Sequence, residues 1–171
     1  IRLLQGDAGA IEAAERVIVP RGTMPAAQFL AEASSFFDGR FQYRRAYDLA
    51  SRAVEVDKEC LAARRQLGFA AMRVGDEATA RVHLEAVHAA DPFDLFTYNQ
   101  VKLLDYLGAE FTTDRSDRFV LRVHKSEAES MRPYVKELLD RTWDELAQRY
   151  GVSLDTPILV EVFPDLNDFS V

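Results

Sequence analysis

The chain contains three histidines, His83, His88 and His124, whose imidazoles could bind a metal ion. His83 and His88 lie five positions apart, so on a helix their imidazoles point about 140° away from each other. His124 lies much further along the chain, and no third ligand follows at a suitable spacing. A His-Glu-x-x-His sequence, which would place two imidazoles and a carboxylate on one helical turn, is absent. We therefore predict no metal site in these residues.

Other arrangements that could support catalysis are incomplete. Asp165-Leu166-Asn167-Asp168 begins like a calcium loop, but Phe169 and Ser170 occupy positions that need a ligand and a glycine. Gly6-Asp7-Ala8-Gly9 lacks the third glycine and the preceding strand of a dinucleotide-binding fingerprint. The single cysteine, Cys60, is predicted to be a small helix residue and not a reactive thiol. The sequence predicts no catalytic residue and no cofactor.

The elements that carry these residues repeat along the chain. Two segments superimpose at a shift of 34 residues, and the match falls on small and apolar positions. The corresponding pairs are Ala46 and Ala80, Ala50 and Leu84, Ala53 and Val87, and Asp57 and Asp91. Self-similarity at a period of this length is typical of stacked helical hairpins. An ordinary irregular helix bundle is the alternative.

The second copy has the clearer pattern. Leu67-Gly68 and Ala71 recur one turn apart, Gly75-Asp76 provides a turn, and the second helix ends before Pro92. The residues predicted to pack the hairpins together are Leu67, Gly68, Ala71, Ala80, Leu84 and Pro92, with Ala46, Ala50 and Ala53 in the first copy. This pattern resembles the tetratricopeptide repeat. The resemblance implies a mostly α fold, a solenoid of helical hairpins. The first copy departs from it, with Ser34 and Lys58 at the glycine and proline positions.

The pattern changes after Gly108. Residues 118–124 alternate between Phe119, Leu121 and Val123 on one face and more polar residues on the other, which predicts a half-buried strand. A helix follows, with Ser126 and Glu129 as a capping box, Met131, Val135, Leu138, Leu139, Thr142 and Leu146 as its apolar stripe, and Gly151 as its stop. Residues 157–163 predict a second strand, most simply parallel to the first.

These elements predict three segments: a partial hairpin and linker in residues 1–24, repeats with a terminal helix in 25–108, and an incomplete strand-helix-strand unit in 109–171. Two strands and one helix are too few for a finished domain, so we expect the chain to be a piece of a longer protein. The open strand edges predict possible self-association.

A second resemblance covers roughly residues 91–171. Phe119-Val120-Leu121-Arg122-Val123-His124 and Val160-Glu161-Val162-Phe163-Pro164, with the helix between them, resemble the opening of bacterial proteins in which tetratricopeptide repeats precede a peptidase MA-like, gluzincin-type metallohydrolase domain. The resemblance implies that a longer parent chain could be a zinc-dependent peptidase. Because the His-Glu-x-x-His motif is missing, it implies no catalytic activity for residues 1–171.

Function is predicted from charge and from one helical face. The net charge of −7 disfavours nucleic acid and anionic membrane surfaces as partners. The concave face of the hairpins would present Arg65, Phe69, Met72, Arg73, Asn99 and Tyr106, which suits a peptide or protein partner with some acidic character. Alternatively, Phe69 and Met72 pack under a neighbouring helix.

We therefore expect a protein-binding scaffold that positions a C-terminal domain. Two alternatives remain: the non-catalytic N-terminal part of a zinc metallopeptidase, and a structural spacer. Zinc is expected only in a longer parent chain.

Overall fold

The computed structural model describes residues 9–151, 153 and 157–165 of the 171-residue chain. The helices are α1 (Gly9–Ile18), α2 (Thr23–Asp38), α3 (Tyr43–Val56), α4 (Leu61–Val74), α5 (Glu77–Ala90), α6 (Leu95–Glu110) and α7 (Ala128–Tyr150), and the strands are β1 (Phe111–Arg115), β2 (Phe119–His124) and β3 (Ile158–Val162). A single 3-10 turn, Val19–Arg21, follows α1. The predicted fold class, mostly α with a short strand unit after the helices, is confirmed.

The chain divides into two compact units, unit 1 up to Val101 and unit 2 from Lys102 onward. The division falls inside α6. In unit 1, α2 packs on α3 and α4 packs on α5, and the resulting hairpins contact each other through α2 with α4 and α3 with α4. This pattern of contacts between neighbouring helices gives unit 1 a helical-repeat architecture.

The second hairpin closes through a missing side chain. Gly68 on α4 faces Leu84 on α5, and a β-carbon built at Gly68 would lie 2.5 Å from Leu84 Cγ and 2.6 Å from Leu84 Cδ2. Those separations are far shorter than the contact distance of about 3.5–4.0 Å between carbon atoms. Leu84 is fully buried, so it has little room to move away. Glycine at this position therefore allows α4 and α5 to approach closely.

The first hairpin makes the equivalent contact with a hydrogen bond. Ser34 occupies the position that corresponds to Gly68, is fully buried, and donates from Oγ to the carbonyl oxygen of Ala46 at 2.7 Å. The position that corresponds to Leu84 is the much smaller Ala50. A small residue on α3 leaves space for the Ser34 side chain on α2. In the second hairpin the smaller residue, Gly68, lies on the first helix and the larger, Leu84, on the second. In the first hairpin the smaller residue, Ala50, lies on the second helix.

The turn between α4 and α5 uses the residues that the sequence indicated. Gly75 adopts the left-handed conformation, with φ of 77°, and ends α4. Asp76 caps α5 by accepting a hydrogen bond from the amide of Thr79 at 3.2 Å. The hydroxyl of Tyr47, on α3, donates to the second carboxylate oxygen of Asp76 at 2.9 Å. One carboxylate therefore both begins α5 and links the two hairpins.

Two residues lie beside helix ends, and one of them, Cys60, was predicted to lie within a helix. Pro92 lies in the turn before α6, which Asp94 begins by accepting from the amides of Phe96 and Thr97. Cys60 is the residue that precedes α4, in an extended conformation, and is only 1% exposed. Both residues flank helices that the sequence assigned correctly.

The sheet of unit 2 contains one strand more than the sequence predicts. β1 pairs antiparallel with β2, β2 pairs parallel with β3, and the order among the described strands is β1-β2-β3. The predicted parallel arrangement of the last two strands is confirmed. The additional strand, β1, is rich in polar residues and therefore lacks the apolar alternation that marks β2.

Details of β2 and α7 also differ from the prediction. β2 is buried on both faces over Phe119–Val123, including Arg122 at 6% exposure, and is not half-buried. The capping box is absent: α7 begins after Glu127 without a side-chain cap, and Ser126 Oγ contacts His124 Nδ1 at 2.7 Å. Gly151 ends α7 with φ of 61°, as expected.

One face of α7 covers the sheet incompletely. Val135 and Leu139 pack on a small core of Leu121 and Val123 with Val160 and Val162. The remaining apolar positions of the predicted stripe are more open, with exposures of 39% for Met131, 52% for Leu138 and 44% for Leu146. The predictions for Gly6-Asp7 and for most of the turn after Pro164 concern residues outside the described ranges.

Candidate partner-binding surface

The outward face of α4 carries four of the residues predicted to contact a partner. Arg65, Phe69, Met72 and Arg73 fall within an arc of about 100° at helical spacing. The opposite side of α4 is buried in the hairpin stack, with Leu67 at 4% exposure and Ala71 at 0%. The burial pattern of α4 therefore separates a packing side from an open side. We call these four residues the α4 face.

The apolar members of the α4 face are half-buried. Phe69 and Met72 each have intermediate exposure, whereas Arg65 and Arg73 are exposed. Each apolar side chain thus has one side in contact with the chain and one side open to solvent. Phe69 and Met72 are therefore neither fully buried under a neighbouring helix nor fully exposed.

Arg65 is held by an acidic residue at the start of α6. Its Nη1 donates to Asp94 Oδ2 at 3.2 Å, and the side chain of Arg65 is 48% exposed while that of Asp94 is 11% exposed. Burial would raise the pKa of the Asp94 carboxyl, but hydrogen bonds from Thr97 and the Arg65 guanidinium outweigh it and hold that pKa below its ordinary value. Asp94 is therefore an anion that orients Arg65.

Arg73 has a looser set of neighbours. Its Nε lies 3.8 Å from Asp38 Oδ1, which is an ion pair without a hydrogen bond. The guanidinium carbon lies 5.6 Å above the centre of the Tyr43 ring. The Arg73 side chain is 60% exposed. Because neither contact is close, Arg73 can turn toward a ligand at small cost.

The remaining two predicted contact residues lie on α6. Asn99 is exposed. Tyr106 belongs to unit 2, where its ring packs at 5.4 Å from Phe111 and 6.0 Å from His124. The structure therefore gives Tyr106 a packing role in unit 2 and leaves Asn99 as the exposed residue of the pair.

The predicted packing residues occupy the interior of unit 1 with one exception. Leu67, Gly68, Ala71, Ala80, Leu84, Ala46, Ala50 and Ala53 are all buried, and Pro92 is exposed. Sequence reasoning missed the polar residues that accompany them. Ser34 accepts from Gln66 Nε2 at 3.3 Å, in addition to its bond to Ala46, and so connects α2, α3 and α4. In the sequence, the only indication of this role is that Ser34 occupies the position that corresponds to Gly68.

Within the described part of the chain, no group of three or more histidine, cysteine, aspartate or glutamate side chains is arranged to hold a metal ion. Nor is any helix of that part both long enough and apolar enough to cross a bilayer. His83 and His88 each have a buried Nδ1 that makes no hydrogen bond to the described residues. The ring of His88 lies 5.6 Å from that of Tyr98.

His83 should make the stability of unit 1 depend on pH. Burial, and secondarily the charge of Arg64, hold the pKa of His83 below its ordinary value of 6.5. Below pH 6.5 the unfolded chain takes up a proton that the folded chain resists, so stability should fall as the pH is lowered from about 7 to about 5.5. Urea unfolding followed by circular dichroism at both pH values measures this loss.

The change His83→Gln should reduce that loss, and Arg64→Gln, which removes only the neighbouring charge, should reduce it less. An unchanged difference between the two pH values in His83→Gln would assign the effect to other groups.

Comparison of the chain with protein-family models, with curated proteins and with solved structures found no match.

Proposed function

We propose that unit 1 is a tetratricopeptide-type scaffold that binds a peptide or protein partner on the α4 face and positions a C-terminal domain. The supporting observation is the division of α4 into a buried side, which packs on α2, α3 and α5, and an open side that combines two guanidinium groups with two apolar side chains.

The spacing of the two arginines suggests the chemistry of the partner. Arg65 and Arg73 are eight positions apart, which corresponds to about 12 Å along a helix. In an extended peptide, residues four positions apart are separated by about 13 Å. Phe69 and Met72 lie between the arginines. The α4 face therefore matches an extended peptide with acidic residues at positions one and five and apolar residues between them.

Both arginines keep the freedom that such binding needs. Each already faces a carboxylate of its own chain, Asp94 for Arg65 and Asp38 for Arg73. A ligand carboxylate would compete with Asp94 or add a second anion beside it, whereas the pair of Arg73 with Asp38 at 3.8 Å is easily exchanged. Arg73 is therefore the residue from which the peptide should draw more of its binding energy.

The test is binding of a synthetic peptide with two glutamates four positions apart and leucine and phenylalanine between them. We expect fluorescence polarisation to show saturable binding that weakens about tenfold, or about 1.4 kcal/mol, in the variant Arg73→Glu. Replacing both glutamates of the peptide by glutamine should weaken binding to a similar degree.

Arg44→Glu is the matched control, because Arg44 is an exposed arginine that lies on α3 and not on α4. It makes the same change in net charge. Equal loss in both variants would show only general charge attraction, and unaltered binding in Arg73→Glu would exclude the α4 face.

A further inference from the structure

The two edges of the sheet in unit 2 are built differently. The edge strand β1 presents Thr113, Asp114 and Arg115, all exposed and polar. The other edge strand, β3, has the sequence Ile-Leu-Val-Glu-Val, with neither lysine nor proline. Natural edge strands are usually protected from pairing with other chains by charges, prolines or bulges. β1 has that protection and β3 lacks it.

The single charge on β3 does not protect its edge. Glu161 pairs with Arg122, its direct neighbour on β2, through a hydrogen bond of 2.9 Å. Glu161 alternates with Val160 and Val162, which pack on the α7 side of the sheet. The carboxylate is thus directed to the opposite face and neutralised. The outer backbone of β3 has no strand partner among the described residues.

An apolar groove runs along the same edge. It has a volume of about 410 Å³ and lies between α7 and the sheet, with Leu146, Tyr150 and Trp143 on one wall and Phe119, Ile158 and Val160 on the other. Ile158 is 41% exposed, Leu146 is 44% exposed and Tyr150 is 66% exposed. Ile158 and Val160 therefore belong to the groove and to the open edge together.

Within the part of the chain that the structure describes, the outer edge of β3 presents a row of unpaired backbone N–H and C=O groups, and such a row binds another β-strand. We propose that this other strand is β3 of a second copy of the chain, which pairs antiparallel with the first about a two-fold axis at Val160. Such a pairing sets Ile158 opposite Val162 of the partner on the α7 side and joins the two sheets into six strands. The α7 helices of the two copies then lie over the same face of the joined sheet.

The edge is self-complementary in three respects. Apolar side chains meet apolar side chains on the α7 side, as an isologous contact requires. Each Glu161 is neutralised within its own copy by Arg122, so the two carboxylates near the axis do not oppose pairing. The exposed Leu146 and Tyr150 of each copy can close the groove of the other. A single chain thus supplies the strand, the apolar wall and the neutralised charge.

The size of the interface sets the expected affinity. Five-residue strands bury far less than the roughly 800 Å² per partner of a standard stable interface, so closure of the groove must supply the remainder. We expect a weak, reversible dimer, as is usual for interfaces below the standard size. The dimer should therefore form at the concentrations used for sedimentation and dissociate on dilution.

The test is sedimentation equilibrium of the full chain over a range of concentrations. Ile158→Lys adds a charge to the β3 edge and should weaken dimerisation at least tenfold, while the matched change on the opposite edge, Thr113→Lys, should leave it unaltered. A monomer at all concentrations, or a dimer that only Thr113→Lys disrupts, would overturn the proposal.

A cross-linking experiment keeps the proposal testable if Ile158→Lys disturbs folding. Val160→Cys places a thiol beside the two-fold axis, where opposite residues are about 4.5–5.5 Å apart between α-carbons. Oxidation should trap a disulfide-linked dimer in this variant. In Thr113→Cys it should not. The native Cys60 is buried, so it should not form a cross-link between copies. No trapped dimer with Val160→Cys, at concentrations where sedimentation shows association, would also overturn the proposal.

Discussion

Valine at position 68 should destabilise unit 1 by about 2–3 kcal/mol, because overpacking a filled interior forces side chains from their preferred rotamers and shifts backbone. The β-carbon alone would lie 2.5 Å from Leu84 Cγ, and valine adds two methyl groups at the same point. Leu84 is fully buried and branched at the atom that is contacted, so rotation of its end cannot relieve the clash. The helices α4 and α5 would have to separate.

A graded series measures this effect. Gly68→Ala gains up to about 1 kcal/mol of helix propensity and loses packing, so its destabilisation should be smaller than that of Gly68→Val. Gly108→Ala is the matched control, since nothing lies within 4 Å of a β-carbon at that position on α6, and it should be neutral or stabilising. Urea unfolding by circular dichroism gives each value. Equal effects at both glycines would show that the close approach is unimportant.

The first hairpin supplies a second control for the same contact. Gly68→Ser with Leu84→Ala copies the Ser34 and Ala50 pair of the first hairpin into the second. Each single change should destabilise unit 1, by cavity formation in the case of Leu84→Ala. The double variant should lose less than the sum of the two, with a coupling of about 1 kcal/mol or more. Simple additivity would contradict the exchange of volumes between the two helices.

Removing the carboxylate of Glu161 should destabilise unit 2 strongly. Arg122 is only 7% exposed in its side chain, and Glu161→Leu would take away the carboxylate that lies 2.9 Å from its Nη1. Breaking one side of a buried pair costs about 3–5 kcal/mol, and we expect the lower end because Glu161 is 26% exposed. Arg122→Met should cost less, since the more exposed Glu161 can be hydrated.

Trp143 is the single tryptophan of the chain and lies in unit 2, with its ring 5.3 Å from that of Phe119. Its fluorescence during urea unfolding therefore reports unit 2 alone. Asp144→Asn is the control, because Asp144 pairs with Arg118 at the same distance, 2.9 Å, but on the surface, where such a pair contributes about 0–1 kcal/mol. Combining Arg122→Met with Glu161→Leu should restore most of the stability. If it does not, the pair has a role beyond neutralising itself.

The sequence predicted those features that depend on local pattern or on a period. The 34-residue shift located the hairpins and the contact glycine Gly68, because helices that approach closely need small residues at fixed intervals. The parallel strands followed from a strand, a long helix and a second strand. Gly75 and Gly151 marked helix ends because only glycine readily adopts the left-handed conformation that both show.

The features that were missed depend on partners distant in the chain. β1 is polar because it is an edge strand, and a polar run without alternation looks like a loop. Ser126 and Glu129 have the spacing of a capping box, but His124 binds Ser126 instead. The candidate surface was predicted as residue types only. That Asp94 and Asp38 already face Arg65 and Arg73 is a tertiary fact with no local signal.

The carboxylate of Asp76 has a consequence for motion within unit 1. It caps α5 and also accepts from Tyr47 on the preceding hairpin, and these hydrogen bonds hold its pKa below the ordinary value although burial acts in the opposite direction. Fraying of the first turn of α5 and sliding of one hairpin on the other must therefore release the same group. The backbone amide of Thr79, which donates to this carboxylate, should therefore exchange with solvent faster in Tyr47→Phe, where the bond from the preceding hairpin is missing.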